Sequence, residues 1–203
     1  MMFSLPSHNP EWISVFIPES VRQDARAYAE KMKKPDPLVC QFNGAYRGRD
    51  FSAILLDCLS NWAFSRWCTD NSIWHESNYM DDNAVDVLLD NEQAGLVSLV
   101  IVSMFATGGV ASSTEGLRIS HYRLQKEGVT LYICASFDGQ YVTFHGMEPG
   151  PMIEMGEFVY DVRPLIYEVP IDKLSIPMSA VLDFYKRTEE KQKVFNGIFR
   201  EDK

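Results

Sequence analysis

The residues that could do chemistry in this chain are a few isolated acids set in apolar sequence. Asp57 is one of two charged residues in the apolar stretch 51–67, and Asp86 is the one acid in the strand-like pattern of residues 85–89. Glu92 follows in the next turn. An isolated carboxylate in apolar surroundings must find a partner, because burying an unpaired charge is costly. Each acid is therefore a candidate for a functional site or for a structural role.

Both aspartates have a structural alternative. Asp57 could be a buried helix acid that pairs with Arg66 or Arg49. Asp86 could be an acid on an edge strand that faces solvent. The sequence alone leaves these alternatives open.

Two arginines lie in a loop that contains two glycines. Residues 43–50 read Asn-Gly-Ala-Tyr-Arg-Gly-Arg-Asp, which places the arginines at Arg47 and Arg49. Loops of this composition can bind phosphate through their amides and guanidinium groups. Arg47 and Arg49 are therefore candidates for contact with nucleic acid, and a solvated loop is the alternative.

The composition is that of a globular protein. Of the 203 residues, 46% are hydrophobic and 23% are charged, which is enough for one domain with a substantial core. The net charge of −9 argues against a protein that coats nucleic acid without specificity, because such proteins carry basic surfaces. The same charge would suit an acidic module that binds other proteins.

The cysteines and histidines show no metal-binding pattern. There is no Cys-x-x-Cys pair and no zinc-like Cys/His spacing, so we expect free thiols in a reducing compartment. His121 and His145 lie among aromatic strand residues, where hydrogen-bonded core or rim histidines are expected. The N-terminus lacks the pattern of a signal peptide, and serines, threonines and glycines interrupt the uncharged run 93–114. We therefore predict a cytoplasmic protein without membrane contact.

The periodicity changes along the chain from helical to strand-like. Helices are predicted from about residue 19 to 32 and over residues 51–67, followed by a hairpin of residues 85–89 and 96–105. Further strands are predicted at 117–124, 129–137, 140–145 and 165–169, with Asp-Gly at 138–139 as a hairpin turn. Residues 148–151 are predicted to be a loop, and a final helix begins near Met178. This order predicts an α/β (α+β) fold with a mixed central sheet flanked by helices.

The order of these elements resembles that of a nuclease family. The chain has a helix introduced by Ile-Pro-Glu, a Gly/Arg loop, a buried helix with one acid and an acid-bearing strand. It closes with Tyr-Glu-Val-Pro-Ile-Asp-Lys-Leu at residues 167–174. In these features it is similar to small restriction-endonuclease-like proteins of phages and bacteria, in the PD-(D/E)xK superfamily. The resemblance runs from about residue 17 to 174 and implies a single domain over residues 1–177, with a C-terminal helix over 178–203.

The resemblance also assigns roles to residues. It implies that Asp57 and Asp86 are metal ligands and catalytic acids, with magnesium as the cofactor of an active enzyme. The acid and the lysine of the family's next strand fall on Ser98 and Val100, or on Gly95 and Val97 in a shifted alignment. Losing that cationic group would cost about 10²–10³ in rate. Glu92 would then have to migrate into the site, or Lys126 or Arg118 would have to replace the lysine.

Three functional hypotheses follow from these observations. The first is a nuclease fold that no longer cuts, needs no cofactor, and has a structural role or binds nucleic acid weakly. The second is an active magnesium-dependent phosphodiester hydrolase with relocated ligands. The third is an acidic module that binds protein. A homodimer is compatible with all three, because the long apolar strand over residues 96–105 needs cover on both faces.

Overall fold

The computed structural model describes residues 12–32, 51–77, 86–91, 95–106, 116–120, 124, 131–154, 158–160 and 166–185. The helices are α1 (Glu19–Met32), α2 (Phe51–Asp70), α3 (Gly150–Glu154) and α4 (Ser179–Tyr185). The strands are β1 (Ile13–Phe16), β2 (His75–Ser77), β3 (Val87–Asn91), β4 (Gly95–Phe105), β5 (Gly116–Ser120), β6 (Leu131–Phe137), β7 (Tyr141–Pro149), β8 (Phe158–Tyr160) and β9 (Ile166–Pro170). A 3-10 turn, Ile171–Lys173, precedes α4.

Six strands form one mixed sheet in the order β1-β7-β6-β4-β3-β2. Strands β4 and β6 run parallel, and the other four neighbouring pairs are antiparallel. The predicted hairpin is confirmed as β3 and β4, and the predicted Asp-Gly hairpin as β6 and β7. The protein is therefore a mixed α+β fold with helices against its central sheet.

Helices α1, α2 and α4 cover one face of this sheet, whereas α3 places Ile153 in the core on the other face. On β4, Val97, Leu99 and Ile101 alternate toward the first face and join a core built with α1 and α2. Helix α2 is apolar almost all round, and its buried positions include Leu59 and Phe64. Such a helix is stable only when other elements cover most of its surface.

A second sheet covers the other face. It has three strands in the order β5-β9-β8. Between the two sheets lies a second core that includes Val100 of β4, Tyr132 of β6, Leu117 of β5 and Tyr167 of β9. The chain itself thus covers the middle of β4, from Leu99 to Val102, on both faces, whereas Phe105 at its end is 45% exposed. The homodimer stays a prediction.

Close approach of β5 to β9 depends on a glycine. A Cβ on Gly116 would lie 2.5 Å from the carbonyl oxygen of Val169 on the paired strand. That distance is shorter than any ordinary van der Waals contact, so a larger residue would push the two strands apart.

Several elements differ from the sequence prediction. Strands β1, β2 and β8 were not predicted, because each has only three or four residues. The predicted loop at 148–151 is wrong, since β7 continues to Pro149 and α3 begins at Gly150. Pro151 is compatible with the first turn of a helix, where its missing N–H costs no hydrogen bond.

The predicted C-terminal helix begins close to its expected position. Helix α4 starts at Ser179, and Met178 and Val181 are buried in the helix-side core. The preceding segment joins β7 through paired backbone bonds between Met147 and Ile176. The start of α4 therefore packs on the central sheet.

Candidate functional site

Asp86 lies immediately before β3 and is only 1% exposed. Its Oδ2 accepts a hydrogen bond of 2.8 Å from the backbone N–H of Ile101, and its own N–H donates to the carbonyl of Leu99 at 2.9 Å. The carboxylate thus satisfies a backbone amide of β4 where the β3 ladder ends. The alternative of an acid facing solvent is wrong, because this side chain is buried.

The neighbouring positions of β4 are neutral, and the two valines among them are buried. Ser98 is half-buried opposite Leu88 in the β3–β4 register. Val100 is 1% exposed and belongs to the core between the two sheets. In the shifted alignment, Val97 is 6% exposed and belongs to the helix-side core. A phosphate group could not reach either valine without separation of packed layers.

Asp57 is half-buried in the second turn of α2. Its backbone carbonyl accepts a hydrogen bond of 2.9 Å from Nδ2 of Asn61, one helical turn further on. The guanidinium of Arg66 forms a salt bridge of 2.9 Å with Asp70, one helical turn further on. Arg66 is therefore paired with Asp70 and not with Asp57.

Two contacts fix the helix and the strand end relative to β4. Ser60 of α2 is fully buried and accepts a hydrogen bond of 2.7 Å from Ser103 of β4. Asp86 is fixed to the same strand at Ile101. Asp57 thus lies on a helix that packs on β4, and Asp86 lies immediately before the strand that pairs with β4.

Within the described ranges, no group of three or more His, Cys, Asp or Glu side chains is arranged to hold a metal ion.

The remaining candidates divide into two groups. Glu92, Arg47, Arg49 and Lys126 lie outside the described residues. Arg118 is described, and it forms a salt bridge of 3.0 Å with Glu168 across the β5–β9 pair. Its guanidinium is therefore engaged on the second sheet.

Ser136, His145 and Trp12 form a largely buried cluster that the sequence did not predict as a group. His145 of β7 is 4% exposed, and its Nε2 lies 2.8 Å from Oγ of Ser136 on β6. The ring of Trp12 meets the imidazole edge-on, with centroids 4.5 Å apart. His145 is thus a hydrogen-bonded core histidine, as the sequence pattern predicts. The Trp12 partner could not be found from sequence because β1 itself was not predicted.

An exposed aromatic pair lies on the same strands. Phe16 and Tyr141 are cross-strand partners on β1 and β7, with ring centroids 5.4 Å apart. They are 52% and 41% exposed, respectively. Between this pair and His145, Oγ of Ser14 lies 2.8 Å from Oγ1 of Thr143. The outer part of this sheet face is therefore open to solvent, with aromatic and hydroxyl groups along it.

The described cysteines are free thiols in low-polarity surroundings. Burial, with a smaller contribution from the Asp57 carboxylate, raises the pKa of Cys58 to about 11. Burial alone raises the pKa of Cys68 well above its usual range. Thiols in this state are weak nucleophiles, because the thiolate is the reactive form.

Comparison with known proteins adds no relative. No family model matches this chain, and neither the curated proteins nor the solved structures contain a match. Within the part of the chain that the structure describes, no helix is both long enough and apolar enough to cross a membrane.

Proposed function

We propose that this chain is a restriction-endonuclease-like protein that no longer cleaves nucleic acid and acts as a structural or binding module. The observation that supports this proposal most strongly is the state of Val100. At the position to which the resemblance assigns the catalytic lysine, Val100 is 1% exposed and packed between two sheets.

The environment of Asp86 supports the same proposal. A magnesium ion bound to a nuclease keeps several water ligands and takes one or two carboxylates together with the substrate phosphate. Asp86 is 1% exposed and accepts a backbone hydrogen bond, so its carboxylate is engaged in folding. Making room for a hydrated ion would require opening the end of the β3–β4 ladder.

A cleavage assay tests the proposal. Labelled single- and double-stranded DNA and RNA are incubated with the protein and Mg²⁺ or Mn²⁺, beside Asp86→Asn and Asp57→Asn. We expect no metal-dependent product from any of the three proteins. Metal-dependent cleavage by the native chain that disappears in both folded variants would instead support an active nuclease with relocated ligands.

A further inference from the structure

The turn between β6 and β7 places a carboxyl group beside an unhindered glycine amide. Asp138, Gly139 and Gln140 are exposed, and the N–H of Asp138 closes the turn by donating to the carbonyl of Tyr141 at 3.2 Å. Gly139 has a φ of 104°, and a Cβ added there would meet no atom of the described residues within 4 Å. The amide that follows Asp138 is therefore open to water and is not shielded by a side chain of its own.

The carboxyl group of Asp138 is folded back over this amide. Its Oδ1 accepts the N–H of Gln140 at 2.8 Å and the N–H of Tyr141 at 2.7 Å. Both donors lie beyond Gly139 in the chain, so a side chain that reaches them must turn back over the Asp138–Gly139 peptide. The two bonds thus hold Cγ on the side of the Gly139 nitrogen, where a five-membered ring can close.

Ring closure at this position is a condensation that needs no co-reactant other than water. The Gly139 nitrogen loses its proton to solvent and forms a bond to Cγ of Asp138, and Oδ2 leaves with two protons as water. The product is a succinimide. Water then adds to one of the two ring carbonyls. Opening at Cγ returns aspartate, whereas opening at the main-chain carbonyl of Asp138 gives isoaspartate, in which the main chain runs through Cβ and Cγ.

The two N–H donors favour the attack over the resting carboxylate. A carboxylate shares its negative charge between two oxygens, whereas the tetrahedral intermediate concentrates charge on the oxygen that stays, here Oδ1. Donors to Oδ1 therefore stabilise the intermediate more than the ground state. Removal of one such donor from an enzyme costs about 10²–10³ in rate, and the exposed turn should show a smaller part of that effect.

We propose that the Asp138–Gly139 turn is a site of spontaneous isoaspartate formation, promoted by the backbone N–H groups of Gln140 and Tyr141. The product carries an exposed α-carboxylate on a lengthened main chain. This group is the chemical class of substrate that isoaspartyl O-methyltransferases take. The inference does not depend on the proposed function.

The modification would change how the hairpin joins α1. Arg22 donates to the carbonyl of Gly139 at 2.6 Å, and the N–H of Ile17 donates to the carbonyl of Gln140 at 2.8 Å. One additional methylene in the main chain before Gly139 displaces both carbonyls. The aged protein should therefore lose the attachment of this turn to the start of α1.

The experiment follows the uptake of solvent oxygen by the full chain. The native protein is incubated in heavy-oxygen water at neutral pH and physiological temperature, and peptide mass spectrometry measures the label at each aspartate. Each passage through the ring adds one solvent oxygen, and resistance to a protease that cleaves before aspartate measures isoaspartate. Asp70 is the internal control, because its side chain is 51% exposed and hydrogen-bonded to Arg66, but asparagine follows it.

Two substitutions at Gln140 isolate the hydrogen bond. Gln140→Ala keeps the backbone N–H, and Gln140→Pro removes it at an exposed turn position, where proline is tolerated. Asp138→Glu is the blank, because its longer side chain cannot close the five-membered ring. If Gln140→Pro loses its cooperative urea transition, the native chain in urea, in which both bonds to Oδ1 are broken, takes its place.

We expect Asp138 to take up label at least about tenfold faster than Asp70 and to accumulate isoaspartate, and Asp138→Glu to take up none at this position. Gln140→Pro, or unfolding in urea, should slow the uptake at least about tenfold, and Gln140→Ala should leave it unchanged. Four results would overturn the inference. They are no uptake at Asp138, equal uptake at Asp138 and Asp70, undiminished uptake in Gln140→Pro or in urea, and equal slowing in the alanine and proline variants.

Discussion

Asp86 accepts the backbone N–H of Ile101 through its carboxylate, at 2.8 Å in a fully enclosed position. The acid that resembles a metal ligand in the sequence thus completes the hydrogen bonding of β4. If Asp86 is a structural acid, its replacement should lower the free energy of unfolding.

Asp86→Ala should destabilise the fold, and Asp86→Asn should do so less. The alanine leaves the amide of Ile101 without its acceptor in a buried place, which costs about 1–3 kcal/mol. The asparagine retains a carbonyl oxygen that can accept the same bond. Urea denaturation of the three proteins measures the difference. Equal stability of the native chain and Asp86→Ala would show that the hydrogen bond to Ile101 contributes nothing.

A lysine introduced at Val100, where the resemblance expects one, should unfold the protein and should not produce nuclease activity. Val100→Lys would place an ammonium group in the core between the sheets, with an expected cost of several kcal/mol. Leu88→Lys is the control, because Leu88 lies on the neighbouring strand at a half-buried position. Thermal and urea unfolding should show a much larger loss for Val100→Lys. Similar stability of both variants would contradict the packed state of Val100.

The hydrogen bond between Ser136 and His145 should contribute more than its exposed counterpart. Ser136→Ala removes a buried 2.8 Å contact, whereas Ser14→Ala removes an exposed contact of the same length to Thr143. We expect a loss of about 1–3 kcal/mol for Ser136→Ala and less than about 0.5 kcal/mol for Ser14→Ala. Chemical denaturation measures the free energy of unfolding of the two variants. Equal losses in both would show that burial does not strengthen the contribution of the Ser136–His145 hydrogen bond.

The thiol of Cys58 should be unreactive in the folded protein at pH 8. Its pKa is raised to about 11, so only about one molecule in a thousand carries the thiolate, compared with about a quarter in an unfolded chain. Iodoacetamide labelling followed by peptide mass spectrometry should show modification of Cys58 at least about a hundredfold slower than in urea. Equally fast labelling in both conditions would contradict the raised pKa of this half-buried thiol.

The same pKa shift has a consequence for stability. Because the folded pKa lies above the unfolded value of about 8.5, the folded protein binds the proton more tightly. The associated stability is fully present below about pH 8.5 and is lost as the pH rises through about 11. Cys58→Ser should reduce this alkaline loss when urea midpoints are compared across that range. If the urea midpoints of the two proteins fell identically with rising pH, the ionisation of Cys58 would not contribute to the alkaline loss of stability.

The parts of the fold that sequence could predict are those with local signals. The apolar run of β4, the helical period of α1 and the turn at Asp138-Gly139 each fix their conformation within a few residues. Gly139 has a φ of 104°, and Asp138 accepts the N–H groups of Gln140 and Tyr141, as expected for such a turn. The hairpin signals were sufficient because their partners are adjacent in sequence.

The rest depends on pairings between distant parts of the chain. Strand β1 near the N-terminus pairs with β7, and β5 pairs with β9, which encloses Val100. The structural partner of Asp86 is a backbone amide, which leaves no signature in the side-chain sequence. Ser98 and Val100 could be recognised from sequence as neutral residues where the resemblance expects an acid and a lysine. The burial of Val100 could not be predicted, because it depends on the second sheet.

The central claim is that Asp86 is a structural acid and not a metal ligand, and a paramagnetic titration tests it most directly. Mn²⁺ is added to the isotopically labelled native chain, and broadening of the amide signals of Val87 and Ile101 is compared with that of Ile119 on the second sheet. The account predicts no selective broadening near Asp86 at metal concentrations that support nuclease activity. Selective loss of the Val87 and Ile101 signals, absent in folded Asp86→Asn, would contradict it.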